Sequence, residues 1–370
     1  MKVSYHVFKD YKITKPAQGA TDESIAAAGG AEAERIRRMR YSFVCSAYHT
    51  RRQKLYLGAT NGSGDILIEF NPRTDKFKSC GFNKSGLCQP HDVKIHKGLH
   101  LDEANDRIYF GVATLSPLPA LIGKPGGLLA YYDIKAGTFH EIARPLDGEF
   151  FQSTCWDLER GLVHLFTDRC VFAVYDFRKK KLLCCEAMES IPHNSCLDDD
   201  GGVWGTYGAG LHAFFRYSGA KRSFEFPKCV LPNAAAGANI MYPGAGPVDG
   251  MFNGGDGFLY LGTALGELYR LDPRREELKY LGKPFPARRL PGLAMGADGM
   301  LYVSGGYRPH SMLARYDLRK ESFDYLGQIR HEDGNWMEYV HEIAVVGNTV
   351  YAMETDNATR SGYLWQCEVH

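Results

Sequence analysis

The chain has 370 residues, 44% of them hydrophobic, which suffices for one large all-β or α/β-barrel domain, or two average ones, with an ample core. Its formal net charge of +1 supplies no global field toward nucleic acid or an anionic membrane. No apolar run reaches the roughly 18 residues a membrane-spanning helix needs, and the 41 Gly beside 22 Tyr and 20 Phe favour short strands joined by tight turns.

The first ten residues, Met1-Lys-Val-Ser-Tyr-His-Val-Phe-Lys-Asp10, lack the apolar core of a secretory signal. The ten cysteines are scattered, with one vicinal pair (Cys184, Cys185) and no CxxC. Several, such as Cys45, Cys155, Cys170 and Cys196, fall inside apolar strand patterns. Free thiols in a reducing cytoplasm are expected. Val3–Phe8 reads as a strand. Residues 21–40 run from Thr21-Asp-Glu through Ala-rich sequence to Ile36-Arg-Arg-Met-Arg40, a helix with a cationic C-terminal end or, given Gly29-Gly30, a loop.

From residue 41 one unit recurs at a spacing of about 35–55 residues, a period that marks repeat architectures. Each copy has an apolar strand, a turn with Asp, Gly or Arg, and a second strand of the type Leu55-Tyr-Leu-Gly58, Ile108-Tyr-Phe-Gly111 or Leu259-Tyr-Leu-Gly262. A third strand follows, often ending in Tyr-Asp or Leu-Asp, as in Leu128-Leu-Ala-Tyr-Tyr-Asp133 and Leu313-Ala-Arg-Tyr-Asp317, and then a short fourth. Seven copies are found, at 41–82, 91–145, 149–188, 192–228, 247–284, 289–329 and 337–369. The expected fold is all-β: a single seven-bladed β-propeller of four-stranded antiparallel blades. The last copy stops after its third strand, so an N-terminal strand is expected to close the ring.

In such a blade the start of the first strand and the end of the second share one face, so register nominates site residues. Counting back about eleven positions from the aromatic of each second strand, a hairpin's length, reaches Gln152, His193, Asp249 and His341. The longer turn of the second blade makes His96 its equivalent. Three histidines, a glutamine and an aspartate at equivalent inner positions point to a site. Ends of second strands add Arg169, Tyr207, Tyr307 and the run Glu354-Thr-Asp-Asn-Ala-Thr-Arg360, with Glu354, Asn357 and Arg360 as substrate-binding candidates. Arg169 and Arg360 suit a substrate carboxylate, which guanidinium pairs in a bidentate way. His91 and His96 alternate to opposite faces of a strand, and His91–His100 has no zinc spacing. Asp198-Asp-Asp-Gly-Gly202 lacks the spacing of a calcium loop and reads as a hairpin turn. Gly123-Lys-Pro-Gly-Gly127 is not a phosphate loop, so no nucleotide cofactor is expected.

Lys94-Ile-His96 followed by Arg107-Ile-Tyr-Phe-Gly111, Gly126-Gly127 with Tyr132-Asp133, and His193 ahead of Asp198-Asp-Asp-Gly-Gly-Val-Trp-Gly205 resemble the polysaccharide lyase propellers of the ulvan lyase and rhamnose-glucuronate lyase type. The resemblance implies β-elimination next to a uronic acid by a His and a Tyr, with a cation near the carboxylate. Thr114-Leu115 stands where it implies a second histidine. The His/Gln content of the inner ring is similar, more loosely, to oligogalacturonate lyase, which implies bound manganese.

The expectation is therefore a carbohydrate-active lyase on a uronate-containing oligo- or polysaccharide. His193 or His96 is the base, Tyr207 the acid, and Arg169, Arg360 or a metal stabilises charge. A divalent cation (Mn, Zn or Ca) would take His96, Gln152, His193 and His341. The alternatives are a non-catalytic sugar- or protein-binding propeller and a glycoside hydrolase pairing Asp249 with Glu354 or Asp356.

Overall fold

A computed structural model describes residues 1–11, 39–116, 118–191, 193–208, 214–306, 311–357 and 359–370. Among these residues the strands form seven four-stranded antiparallel sheets, six of them meanders in chain order, arranged as the blades of a propeller. Blade 1 comprises Ser42–His49, Lys54–Thr60, Leu67–Asn71 and Lys76–Ser79. Blade 4, with the short strands Ser195–Leu197 and Gly202–Thr206, shows the hairpin chemistry most plainly. Asp198 accepts from Gly202 N (2.7 Å), the Trp204 indole (2.9 Å) and Arg216 Nε (2.7 Å), and Gly201 takes φ +78. That acidic turn is scaffold, as its spacing implies.

The ring closes through its terminus. Lys2–Phe8 pairs antiparallel with Gly362–Glu368, from Lys2 opposite Glu368 to Phe8 opposite Gly362, and so completes blade 7. The segment expected to be a helix or loop at 21–40 falls mostly outside the described residues.

Cohesion lies between blades. One cluster packs Phe166 and Phe172 of blade 3 on Phe215 and Tyr217 of blade 4; another joins Tyr109 to Trp156 across blades 2 and 3. Tight approach explains the glycine ending the second strands: a Cβ on Gly262 would sit 1.9 Å from the Leu290 carbonyl oxygen. The ten cysteines are all free thiols.

Two departures from regularity position the site. In blades 1, 3, 5 and 7 the register between first and second strands slips by one residue at the mouth of the channel, between Phe43 and Cys45, Phe151 and Ser153, Val248 and Gly250, and Val340 and Glu342. The extra residues are Val44, Gln152, Asp249 and His341. A bulged residue is left out of the ladder, which frees its carbonyl for other donors. In blade 2 the first strand is only His100–Asp102. The chain before it leaves the sheet: Lys94 bridges both Thr60 and Ala113, and Ile95 N donates to Ala59 O (3.0 Å). Gly98, at φ +100, turns it back where a Cβ would lie 2.0 Å from Thr154 O.

Candidate metal centre at the channel mouth

His96, His193 and His341 are buried and meet at one end of the channel, each offering a ring nitrogen, all within 4.8 Å of one another. Ring centroids are 4.9 Å apart for His96–His193 and His96–His341 and 5.5 Å for His193–His341.

The bulges fix how these rings point. His341 Nδ1 lies 2.6 Å from Val44 O, His96 Nδ1 2.7 Å from Gln152 O, and His193 Nδ1 3.1 Å from Asp249 O. A carbonyl only accepts, so each Nδ1 carries the proton and donates. Each histidine thus bonds to the bulge of the next blade, and each Nε2 keeps a bare lone pair. His96 Nε2 and His341 Nε2 face each other at 3.0 Å. Two lone pairs at that distance repel unless a proton or a cation lies between them. Burial pushes all three imidazoles below their ordinary range, His193 to about 3, so protons are disfavoured and a cation fits. Metal-binding histidines commonly have Nδ1 held by a main-chain carbonyl or carboxylate and Nε2 left free in this way. Tetrahedral bonds of ~2.1 Å separate ligand nitrogens by ~3.4 Å, a spacing inside the 4.8 Å that bounds the three nitrogens.

A charged layer supports the rings. Lys97, 3% exposed, donates to the bulge carbonyl of His341 (2.9 Å) and to Glu342 Oε2 (3.3 Å), whose other oxygen takes Ser46 N at 2.7 Å. Asp249 is fully buried and receives both Nε and Nη2 of Arg289 at 2.9 Å; its Oδ1 is 3.4 Å from His193 Nδ1. Burial works against the charge on Asp249, but Arg289 outweighs it and holds the carboxyl below its usual range.

The register count therefore brings His96, Gln152, His193, Asp249 and His341 to one place, in different roles. The Gln152 carbonyl orients His96, and its amide nitrogen donates to the Tyr242 hydroxyl at 2.9 Å. Asp249 serves Arg289 and His193 rather than a substrate. With Nδ1 spent on carbonyls, His96 and His193 each keep Nε2 as the atom that could hold a metal ion. Tyr207 packs on Phe226 and accepts Ser190 Oγ through its carbonyl, and among the described residues it makes no hydrogen bond or ring contact with the three histidines. Glu354 is buried in blade 7, accepting from Glu338 N (2.6 Å) and the Trp365 indole (2.8 Å). Asn357 is the hub of its own turn, accepting from Thr359 N and Ser361 N at 3.1 Å. Arg360 donates from Nε to Met39 O and Asp356 pairs with Arg40. Arg169, half exposed, pairs with Glu149 at 3.1 Å and lines a recess with Leu121–Pro125. Tyr307 lies outside the described residues.

Several mouth residues have no signature in sequence. Tyr242, in the Gly/Ala-rich loop before blade 5, sets its ring 6.1 Å from that of His193. Lys97 follows His96 directly, and strand alternation would send it to the other face. Asp168, just past the second strand of blade 3, has a buried oxygen without a hydrogen-bond partner. Burial first, and Glu149 second, raise its carboxyl to about 6.

No family model and no curated protein matches this chain. Its likeness is to solved propellers. A catalytically inactive histidine-to-alanine form of virginiamycin B lyase from Staphylococcus aureus, with quinupristin, superposes with TM-score 0.62 at 14% identity, over 89% of this chain and 96% of that one. The extracellular domain of a one-component system of B. thetaiotaomicron gives 0.58 at 11% identity, and this chain, 88% covered, spans 38% of it. A chain of the mitotic checkpoint complex gives 0.58 at 9% identity over 85% and 84%. What these likenesses establish is the seven-bladed β-propeller fold.

Proposed function

We propose that the protein is a metal-dependent lyase that cleaves a uronate-containing oligo- or polysaccharide by β-elimination at the mouth of the propeller channel. The observation that carries this is the convergence of three bare Nε2 atoms whose Nδ1 protons are fixed by bulge carbonyls. Neutral imidazoles favour manganese or zinc over calcium, and three protein ligands leave a position open. Gln152 serves the site through its carbonyl, which holds His96, and through its amide, which donates to Tyr242.

Elimination breaks the C–H bond alpha to the carboxylate and the C–O bond beta to it, and forms a C=C bond. An ion bound to the carboxylate would stabilise the charge that develops as the proton leaves. Asp168 fits the proton acceptor: it sits on the same rim, holds an uncommitted oxygen and is raised toward neutrality. Tyr242 accepts a hydrogen bond from Gln152, so its own O–H points onward and can be given to the leaving oxygen; burial keeps that phenol protonated. These residues replace His193, His96 and Tyr207 as acid and base. A hydrolase is disfavoured because Asp249 and Glu354 are both committed to buried partners. Virginiamycin B lyase, inactive in its histidine-to-alanine form, supports the reading as a lyase of similar ring shape.

The test is a screen of uronate oligosaccharides for the ultraviolet absorbance of an unsaturated product, with zinc or manganese added and then chelated. Absorbance that grows with metal and stops with chelator is expected. New reducing ends without that absorbance would replace elimination by hydrolysis.

A further inference from the structure

Several charged groups around the mouth pair off, while Lys94 and Asp168 form no ion pair among the described residues. Among the described residues Arg289 pairs with Asp249, Arg40 with Asp356, and Lys97 with Glu342. Arg169 is taken by Glu149. Lys94 is half-buried, two residues before His96, and its ammonium makes no hydrogen bond or ion pair with any of them. It is close enough to act electrostatically on His96 and His341, and on Arg40 and Asp356. Asp168 feels Lys94 too, more weakly than it feels Glu149 or Arg169, and forms no ion pair with it.

A partly buried charge without a counter-ion is costly. A divalent ion on three neutral imidazoles adds two more positive charges to those acting on the same histidines as Lys94. Asp168, when ionised, offsets only part of the charge that Lys94 and such an ion carry together. The main chain of Lys94 is bridged to Thr60 on one side and Ala113 on the other, which holds its Cα in place.

We propose that Lys94 and the ion held by the three histidines form a two-point clamp for a carboxylate, through which acidic sugars are selected over neutral ones. This rests on the metal-dependent uronate lyase reading and names the residue that sets its specificity. One carboxylate oxygen faces the ion and the other accepts from the ammonium.

The experiment is calorimetric titration of zinc-loaded protein with sodium glucuronate, with glucose and inorganic phosphate as comparison ligands. Glucuronate is expected to bind and glucose not to. Lys94→Met should weaken glucuronate ~10–100-fold, as loss of a charged hydrogen bond does, with zinc stoichiometry unchanged. Lys94→Arg should recover most of the loss, which a merely structural lysine would not require. Equal glucuronate affinity in wild type and Lys94→Met, no glucuronate binding by the wild type, or binding of phosphate alone would each overturn the clamp. The two readings fail differently. Lys94-dependent binding without an unsaturated product retires the lyase and keeps the clamp; turnover with an unchanged KM in Lys94→Met does the reverse.

Discussion

At the scale of single residues, the chemistry of the mouth follows from which imidazole nitrogen carries the proton. His164 is an informative contrast. It too is fully buried and gives Nδ1 to a carbonyl, Cys155 O at 3.3 Å, but its Nε2 has no partner and it sits between Phe172 and Tyr217. Burial lowers it to about 4. An unfolded histidine titrates near ~6.5, so below that pH the unfolded chain binds a proton the folded one refuses. Its contribution is therefore constant above pH ~6.5 and is lost as pH falls toward ~4, by up to ~3 kcal/mol. His164→Phe should flatten that limb in urea titrations at a series of pH values. It should also raise stability at neutral pH by ~1 kcal/mol, because an unsatisfied buried nitrogen is removed. An unchanged acid limb would assign the loss to other groups.

At the scale of elements, the bulges are what convert a symmetric ring into a site. A regular ladder would spend the carbonyls of Val44, Gln152 and Asp249 on the neighbouring strand. One extra residue in alternate blades releases them to the histidines of blades 7, 2 and 4. This makes a side-chain-independent prediction. Gln152→Ala keeps the carbonyl, so zinc affinity should stay within about threefold of wild type, well under the tenfold that marks ~1.4 kcal/mol. A drop of tenfold or more would show that the amide itself is a ligand.

The same level shows what was legible from residues alone. The count from Trp204 to His193, or from Tyr351 to His341, works because hairpins of similar length place equivalent residues on one face. Tyr242, Lys97 and Arg289 escape it because they sit in irregular chain, where neither a period of two nor a hairpin length applies. Glu354 and Asn357 look like site residues because they are polar and near the rim. The fold spends them instead on buried donors, Glu338 N and the Trp365 indole for one and its own turn for the other.

At the scale of the molecule, the ring depends on a strand about 360 residues away in sequence from its partner, a contact whose loop-closure cost is large. Tyr5 packs on Tyr363 and Trp365, and Phe8 on Tyr41 and Phe77, so the strand ties blade 7 to blade 1. Deleting residues 2–8 should lower the melting temperature by well over the ~2–4 °C that each kcal/mol costs in a chain of this size, and should promote association through the exposed edge of Gly362–Glu368. Scanning calorimetry with light scattering checks this; an unchanged melting temperature would mean the ring is held by blade contacts alone. His341 belongs to blade 7 and bonds to blade 1, so this deletion is also expected to weaken metal binding.

The central claim is that three histidines from blades 2, 4 and 7 hold one divalent ion. Anomalous diffraction at the zinc edge from crystals grown with zinc tests it directly. A single strong peak is expected within ~2.0–2.2 Å of Nε2 of His96, His193 and His341, and it should vanish in His193→Ala. Crystals of the zinc-treated protein with no peak there, or with the ion bound only elsewhere, would contradict the account.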